Sequence, residues 1–222
     1  MPKKTEPNNH LHFIGIKGMG MSALAIMAKQ SGYIVTGSDY DEEFPTSAIL
    51  RQNQIQVNAG FSASNLKDKP RVVLSAAYGV ANVEYIEAKR LRLEIRTFSE
   101  ILGELMRGFE GVGVAGVHGK TTTTALLAFI LEEAGFAPSY MIAAPSVPGL
   151  PATGHIGQGK YFIVESDEYK KSEESKEPKF LDYPLKLVII TSIELDHPDV
   201  YATAEDVYDA FKAMFVSKAL EL

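Results

Sequence analysis

Apolar residues in this chain fall into short uninterrupted runs separated by amphipathic stretches. That is the pattern of strands buried on both faces with helices packed over them. The first runs are His12–Ile16 and Tyr33–Asp39, and Arg71–Ala77 and Leu93–Phe98 come next. Between the first two, Leu24, Met27, Ala28 and Ser31 recur at helical spacing, and Ser31-Gly32 closes that helix. After Pro45 a short helix turns Ile49 and Leu50 inward. Asn82–Arg92 reads as a charged, exposed helix, and Ser99 as the cap of a helix running through Met106. The alternation over residues 11–107 predicts an open parallel α/β sheet.

The pattern restarts after Arg107-Gly108-Phe109-Glu110-Gly111, which reads as the domain junction. A strand leads into a helix presenting Leu127, Ile130, Leu131 and Ala134 on one side and ending near Gly135. The Pro- and Gly-rich segment 137–159 reads as a strand and then a loop. Strands are predicted at Lys160–Glu165 and Leu185–Ser192, with a polar excursion, Lys170–Lys179, between them. A final amphipathic helix from about Ala204 would bury Val207, Tyr208, Phe211, Met214 and Phe215. The chain thus divides into a polar leader over 1–10, one α/β domain over 11–107 and a second over 108–222.

Composition narrows the function classes. With 222 residues, 45% hydrophobic and 23% charged, the chain has the balance of an ordinary globular protein with room for two domains. A net charge of −6 without a basic run argues against nucleic acid as the main partner. The absence of cysteine excludes disulfides and thiolate metal sites. No window has the length of a membrane span, and the leader lacks a signal-peptide core, so no membrane association and a cytoplasmic location are expected.

The chemistry gathers at two glycine turns. Gly111-Val-Gly-Val-Ala-Gly116-Val117-His118-Gly119-Lys120-Thr121-Thr122 joins a strand to a helix. Such a turn offers backbone N–H groups and a helix N-terminus to phosphates, with Lys120 adding a full charge and Thr121 a hydroxyl for Mg²⁺. Val114 stands where the common phosphate-loop pattern has its first glycine. A plain strand-to-helix turn with a surface lysine is the alternative reading. Upstream, Gly15-Ile-Lys-Gly18-Met19-Gly20-Met21 sits between the first strand and helix, and the second strand ends at Ser38-Asp39. This is a β-α-β unit of dinucleotide-binding type, although its glycine order departs from the NAD fingerprint. Asp39 has the right place to meet a ribose hydroxyl, or simply to cap a turn. Two acidic groups, Glu165-Ser-Asp167-Glu168 and Glu194-Leu-Asp196-His197, close apolar strands. In a parallel sheet they would converge with the Lys120 turn on one crevice.

These residues resemble the Mur ligases of peptidoglycan synthesis. The resemblance is carried by His12–Ser22, Thr36–Asp39, Val114–Thr124, Val164–Glu168 and Ile190–His197, in that order along nearly the whole chain. The family's loop is built as Gly-x-x-Gly-Lys-Thr, matched by Gly116–Thr121, which accounts for Val114. The resemblance implies a Rossmann-like parallel-sheet domain for the UDP-substrate, followed by a P-loop α/β ATPase domain, here partial. It implies an ATP-dependent ligase with ATP and Mg²⁺ as cofactors. The substrate carboxylate of UDP-N-acetylmuramate would become an acyl phosphate, and the amino group of L-alanine would attack it.

Carried over, Lys120 would hold the β- and γ-phosphates, and Gly116, Val117, His118, Gly119, Thr121 and Thr122 would surround ATP. Thr121, Glu165 and His197 would ligate the metal. Gly15, Gly18, Met19, Gly20 and Met21 would line the UDP site, with Ser38 and Asp39 nearby. Three features depart from the pattern. Ser192 stands where the family usually has Asn. The segment 169–180 has the length found in the tripeptide-recycling members, so a murein tripeptide is the alternative amino substrate. The chain also stops inside the central domain, so this portion is expected to be inactive alone, and self-association through the incomplete domain is an expectation. A non-catalytic nucleotide-binding module and an NAD-dependent oxidoreductase are the readings from other classes.

Overall fold

The computed structural model describes residues 9–79, 81–166 and 179–193, together with positions 203, 205, 206, 208, 209 and 212. The chain divides into two compact units between Ile101 and Leu102, ahead of the junction expected at 107–111. The boundary falls inside a helix because that helix's second half packs with the second unit: the α-carbon of Gly103 lies against the backbone of Asp182.

The first unit is a five-stranded sheet, all parallel. Its strands are β1 (His10–Ile14), β2 (Ile34–Asp39), β3 (Gln56–Ala59), β4 (Arg71–Leu74) and β5 (Ile95–Thr97), in the order β3-β2-β1-β4-β5. Helices α1 (Met19–Gln30), α2 (Ser47–Gln52) and α3 (Val83–Arg90) connect β1 to β2, β2 to β3 and β4 to β5, and a 3-10 turn, Ala63–Leu66, lies between β3 and β4. The chain winds outward from β1 in one direction and then crosses to β4 on its other side. The strand order therefore reverses between β1 and β4, and it is at such a reversal that open α/β sheets bind ligands. Strand β3 carries no sequence signal, because Gln56-Val-Asn-Ala is an edge strand without an apolar run. Helix α1 is buried over Met21–Ala28, wider than the single face expected.

Helix α4 (Phe98–Met106) starts one residue before the predicted cap. The cap is Thr97, not Ser99. Thr97 Oγ1 accepts the Glu100 N–H at 3.3 Å, and Glu100 Oε2 accepts the Thr97 N–H at 2.8 Å, a reciprocal capping box.

The second unit has a five-stranded sheet in the order β10-β6-β9-β7-β8. These are β6 (Glu110–Ala115), β7 (Ser139–Met141), β8 (Gly154–His155), β9 (Tyr161–Glu165) and β10 (Leu185–Ile190). All pairs are parallel except β7 with β8. The segment after residue 137 thus holds a second short strand where a loop is expected. Helix α5 (Lys120–Glu133) buries Thr124 and Ala128, and Ala125, Leu127 and Leu131 pack against Val112, Tyr140, Ile142 and Ile163. Ile130 and Ala134, expected on that face, are exposed. Polar Thr124 turns inward instead, because its hydroxyl is satisfied by Lys120 O at 2.8 Å.

Tyr208, expected to be buried, is 53% exposed. The other inward positions proposed for that helix, Val207, Phe211, Met214 and Phe215, lie outside the described residues. The polar excursion at 170–178 lies outside them as well. No helix among the described residues is long and apolar enough to cross a membrane.

Candidate functional site

In the second unit, Val114 on β6 pairs in register with Glu165 on β9, and Ala115 pairs with Ile190 on β10. Three strands therefore end side by side, and the turn from β6 into α5 lies above them. Gly116 has φ +126, and Gly119, the residue before the helix, has φ +80. Both values favour glycine, and at Gly116 a Cβ would also collide with Thr191 Oγ1 and the Ser192 backbone.

Partners from the neighbouring strand ends hold the turn. The Val117 N–H donates to Ser192 O at 3.3 Å, and the His118 N–H to Ser192 Oγ at 3.1 Å. Thr191 Oγ1 donates to His118 O at 2.5 Å. Ser192, the residue that departs from the family pattern, thus contacts the turn with its own hydroxyl. Lys120 Nζ donates to Gly116 O at 2.6 Å, which keeps the ammonium over the turn.

The first intrahelical bond in α5 runs from Thr123 N–H to Gly119 O. The N–H groups of Lys120, Thr121 and Thr122 precede it and have no carbonyl within the helix. No acidic residue belongs to the first turn of α5; the carboxylate nearest its positive end comes from β9. Thr122 is exposed, as are His118 and Gly119.

Glu165, nearly buried at the end of β9, accepts from Thr121 Oγ1 at 2.9 Å through Oε2 and from the Ala143 N–H at 2.7 Å through Oε1. A hydroxyl and a carboxylate oxygen brought together beside a phosphate-type turn make the hard oxygen donor set that Mg²⁺ takes alongside water and substrate phosphates. Among the described residues, no group of three or more His, Cys, Asp or Glu side chains is placed to hold a metal ion. His197 lies outside the described residues, as do Asp167, Glu168, Glu194 and Asp196.

The turn of the first unit has the same design. Gly15 has φ +81, and the N–H groups of Gly15 and Ile16 donate to Ser38 O at 2.9 and 3.2 Å. Helix α1 starts after Gly18 with no capping side chain and no acid in its first turn. Its first intrahelical bond runs from Ser22 N–H to Gly18 O, so the N–H groups of Met19, Gly20 and Met21 are left for a ligand or water. Met19 is exposed, whereas the side chain of Met21 enters the core.

Asp39 is buried, and the chain itself engages both of its carboxylate oxygens. Oδ2 accepts the Lys17 N–H at 2.7 Å, and Oδ1 accepts the Tyr40 N–H and the Tyr78 hydroxyl, each at 2.9 Å. Its evident work is to fasten the glycine turn to β2. Burial, with the hydrogen bond to Asp39, holds the Tyr78 phenol well above its ordinary pKa.

Ser38 also turns inward. Its hydroxyl donates to Glu84 Oε2 at 2.5 Å. The charge pattern of its helix predicts that Glu84 is exposed, yet it is fully buried. It also accepts from the Ser62 N–H at 3.0 Å and from Asn65 Nδ2 at 2.6 Å, and His12 Nε2 lies 3.4 Å away. Burial alone would raise its pKa, but hydrogen bonds from His12, Ser38, Ser62 and Asn65 outweigh this and lower it. The Asn82 side chain caps α3 through the Glu84 and Tyr85 N–H groups and so delivers Glu84 to this hub. In the sequence, only that cap marks the position.

Two family models divide the chain: "Mur ligase family, catalytic domain" matches residues 10–110, and "Mur ligase middle domain" matches residues 114–221. The chain belongs to the Mur ligase family. It is 42% identical over 203 residues to the UDP-N-acetylmuramate–L-alanine ligase of Desulfitobacterium hafniense, covering 91% of this chain and 43% of that protein. It is 39% identical over 213 residues to the enzyme of the same name from Streptococcus equi, covering 94% of this chain and 44% of that protein. The chain thus spans less than half the length of these relatives.

Among solved structures, the UDP-N-acetylmuramate:L-alanyl-γ-D-glutamyl-meso-diaminopimelate ligase of Neisseria meningitides matches with a TM-score of 0.85 at 29% identity, over 95% of this chain and 68% of that one. The UDP-N-acetylmuramate–alanine ligase of Thermotoga maritima matches with a TM-score of 0.77 at 29% identity, over 92% of this chain and 46% of that one. Both Mur ligase matches agree with the α/β architecture read from the sequence.

Proposed function

We propose that this chain is the substrate- and ATP-binding portion of an ATP-dependent amide ligase that joins L-alanine to UDP-N-acetylmuramate. The observation that carries the reading is the meeting of Lys120, Thr121 and Glu165 at the mouth of one glycine turn. In this reading the first unit takes the UDP moiety at the Gly15–Gly20 turn, and the second takes ATP at Gly116–Thr122.

Phosphoryl transfer needs positioned charge more than covalent help from the protein. Backbone N–H groups of the turn and of the first turn of α5 would orient the phosphates, and Lys120 would neutralise charge developing on them. Thr121 and Glu165 would hold Mg²⁺, with His197 as a further ligand; the ion would neutralise charge on the phosphate oxygens when bound. The muramyl carboxylate oxygen attacks the γ-phosphorus and ADP leaves. The amine then attacks the acyl carbon and phosphate leaves, giving the amide and a proton.

A murein tripeptide is the second reading of the amine. It is favoured by the 0.85 TM-score to the tripeptide-type ligase, while the relatives at 42% and 39% identity bear the L-alanine name. Isothermal titration with UDP-N-acetylmuramate and with ATP plus Mg²⁺ tests the two binding assignments separately. ATP-dependent phosphate release with L-alanine or with tripeptide, in protein extended to the relatives' length, decides the amine. Failure of both amines to support release would sink the ligase reading.

A further inference from the structure

Ser38 connects a buried carboxylate to the glycine turn of the first unit. Its carbonyl accepts the N–H groups of Gly15 and Ile16, which fixes the path of the chain as it leaves β1. Its hydroxyl donates to Glu84 Oε2 at 2.5 Å. Both residues are fully buried, so neither side chain can reach a ligand. Packing adds a second link between β2 and the turn. At Gly37 a Cβ would collide with the Ile16 side chain and with Phe13 O, so the end of β2 and the turn cannot shift independently.

Glu84 draws its partners from across the first unit. His12 stands on β1, Ser38 on β2, Ser62 and Asn65 follow β3, and Glu84 itself lies in the first turn of α3. A carboxylate facing His12 Nε2 places the ring's proton there, and Nδ1 then accepts the Thr36 hydroxyl at 2.8 Å. Every partner is therefore a donor, and only the ionised carboxylate accepts from all of them. The N-terminus of α3 favours that charge. A core needs no such charge for stability, because well-packed apolar side chains serve as well. What the carboxylate adds is geometry: β1, β2 and the chain after β3 satisfy it in one arrangement. The N–H groups of Met19, Gly20 and Met21 lie immediately beyond the turn held in this way, and they make no bond within α1.

We propose that Glu84 is a positioning residue for diphosphate recognition: through Ser38 it sets the direction in which the Gly15–Gly20 turn presents those N–H groups. The inference rests on the reading of the first unit as a UDP-sugar site. It assigns part of that site's affinity to a carboxylate that never touches the ligand.

The test titrates UDP into the 222-residue chain and into its Ser38→Ala, Glu84→Gln and doubly substituted forms, at a temperature where melting curves show each form folded. Either single substitution weakens UDP about tenfold, equivalent to ~1.4 kcal/mol, and the double substitution weakens it no further. The amide signals of Met19, Gly20 and Met21 move in the ligand-free Ser38→Ala form. Unchanged UDP affinity in Ser38→Ala, whatever its melting temperature, overturns the inference and leaves the UDP-site reading standing. Losses that add in the double substitution also overturn it, because the two residues would then act separately. So does a loss of affinity with the three amide signals unmoved. Ser38→Ala keeps Glu84 and its donors His12, Ser62 and Asn65, so it decides alone if Glu84→Gln fails to fold. No UDP binding by the unsubstituted chain overturns the underlying reading and the inference with it.

Discussion

The hydroxyl of Thr121 donates to Glu165 Oε2 at 2.9 Å, joining the first turn of α5 to the end of β9 across 44 residues of sequence. The contact arises from the register of the sheet, in which Val114 pairs with Glu165 and the chain leaves β6 directly into the glycine turn. It places a hydroxyl and a carboxylate where a cation between them would also face phosphates on the turn. It also makes the two side chains separable by substitution.

Glu165→Gln keeps an oxygen acceptor for the Ala143 N–H but removes the charge. Thermal stability is therefore expected to change by less than about 1 kcal/mol. The gain in ATP affinity on adding Mg²⁺ is expected to fall about tenfold or more, equivalent to at least ~1.4 kcal/mol. Titrations with and without Mg²⁺, beside a melting curve, check both halves.

Lys120→Ala removes the ammonium held over Gly116 O. ATP affinity is expected to fall at least about tenfold, while UDP binding to the first unit stays the same. Isothermal titration with each nucleotide separates the two effects; retained ATP affinity would remove Lys120 from the phosphate site.

Gly116→Ala forces a Cβ into a backbone at φ +126 and onto Thr191 Oγ1, Ser192 O and Ser192 N. The Thr191 and Ser192 contacts that hold the turn must then shift. A loss of about 2–4 kcal/mol is expected in urea unfolding of the second unit, with loss of ATP binding.

Glu84→Ala leaves Ser38 Oγ, the Ser62 N–H and Asn65 Nδ2 without their shared acceptor. A destabilisation of about 3 kcal/mol is expected, read as a shift of the denaturant midpoint. The pH dependence has a definite sign. Because the folded-state pKa of Glu84 is lowered from its ordinary 4.5, its contribution is complete above that value and is lost as pH falls through the folded-state pKa. Below pH 4.5, the stability gap between unsubstituted chain and Glu84→Gln should narrow. A constant gap down to acid pH would show that the carboxylate charge is not what stabilises the hub.

Much of this chain is legible without coordinates, because it depends on near neighbours in sequence. Buried strands announce themselves as apolar runs, and the glycines at 15, 116 and 119 adopt the positive φ that their turns require. The convergence of the Lys120 turn with Glu165 obeys the rule that parallel strands present their ligands at one end. Where burial depends on distant partners, local pattern misleads. Glu84 looks like one more charge on an exposed helix, but donors from His12, Ser38, Ser62 and Asn65 make its burial tolerable. Ile130, expected inward, is exposed, while Thr124 is buried with its hydroxyl satisfied by a backbone carbonyl. Tyr40, Phe61 and Tyr78 are widely separated in sequence and share no motif; only the parallel sheet, by ending β2, β3 and β4 at one edge, brings their rings together. Sequence determined the apolar strands, the glycine turns and the family, which arise from local backbone preference and ordered motifs, but not the edge strands β3 and β8, which lack an apolar run. Tertiary structure decided which polar groups are buried and which rings meet, because those outcomes depend on partners the local chain does not contain.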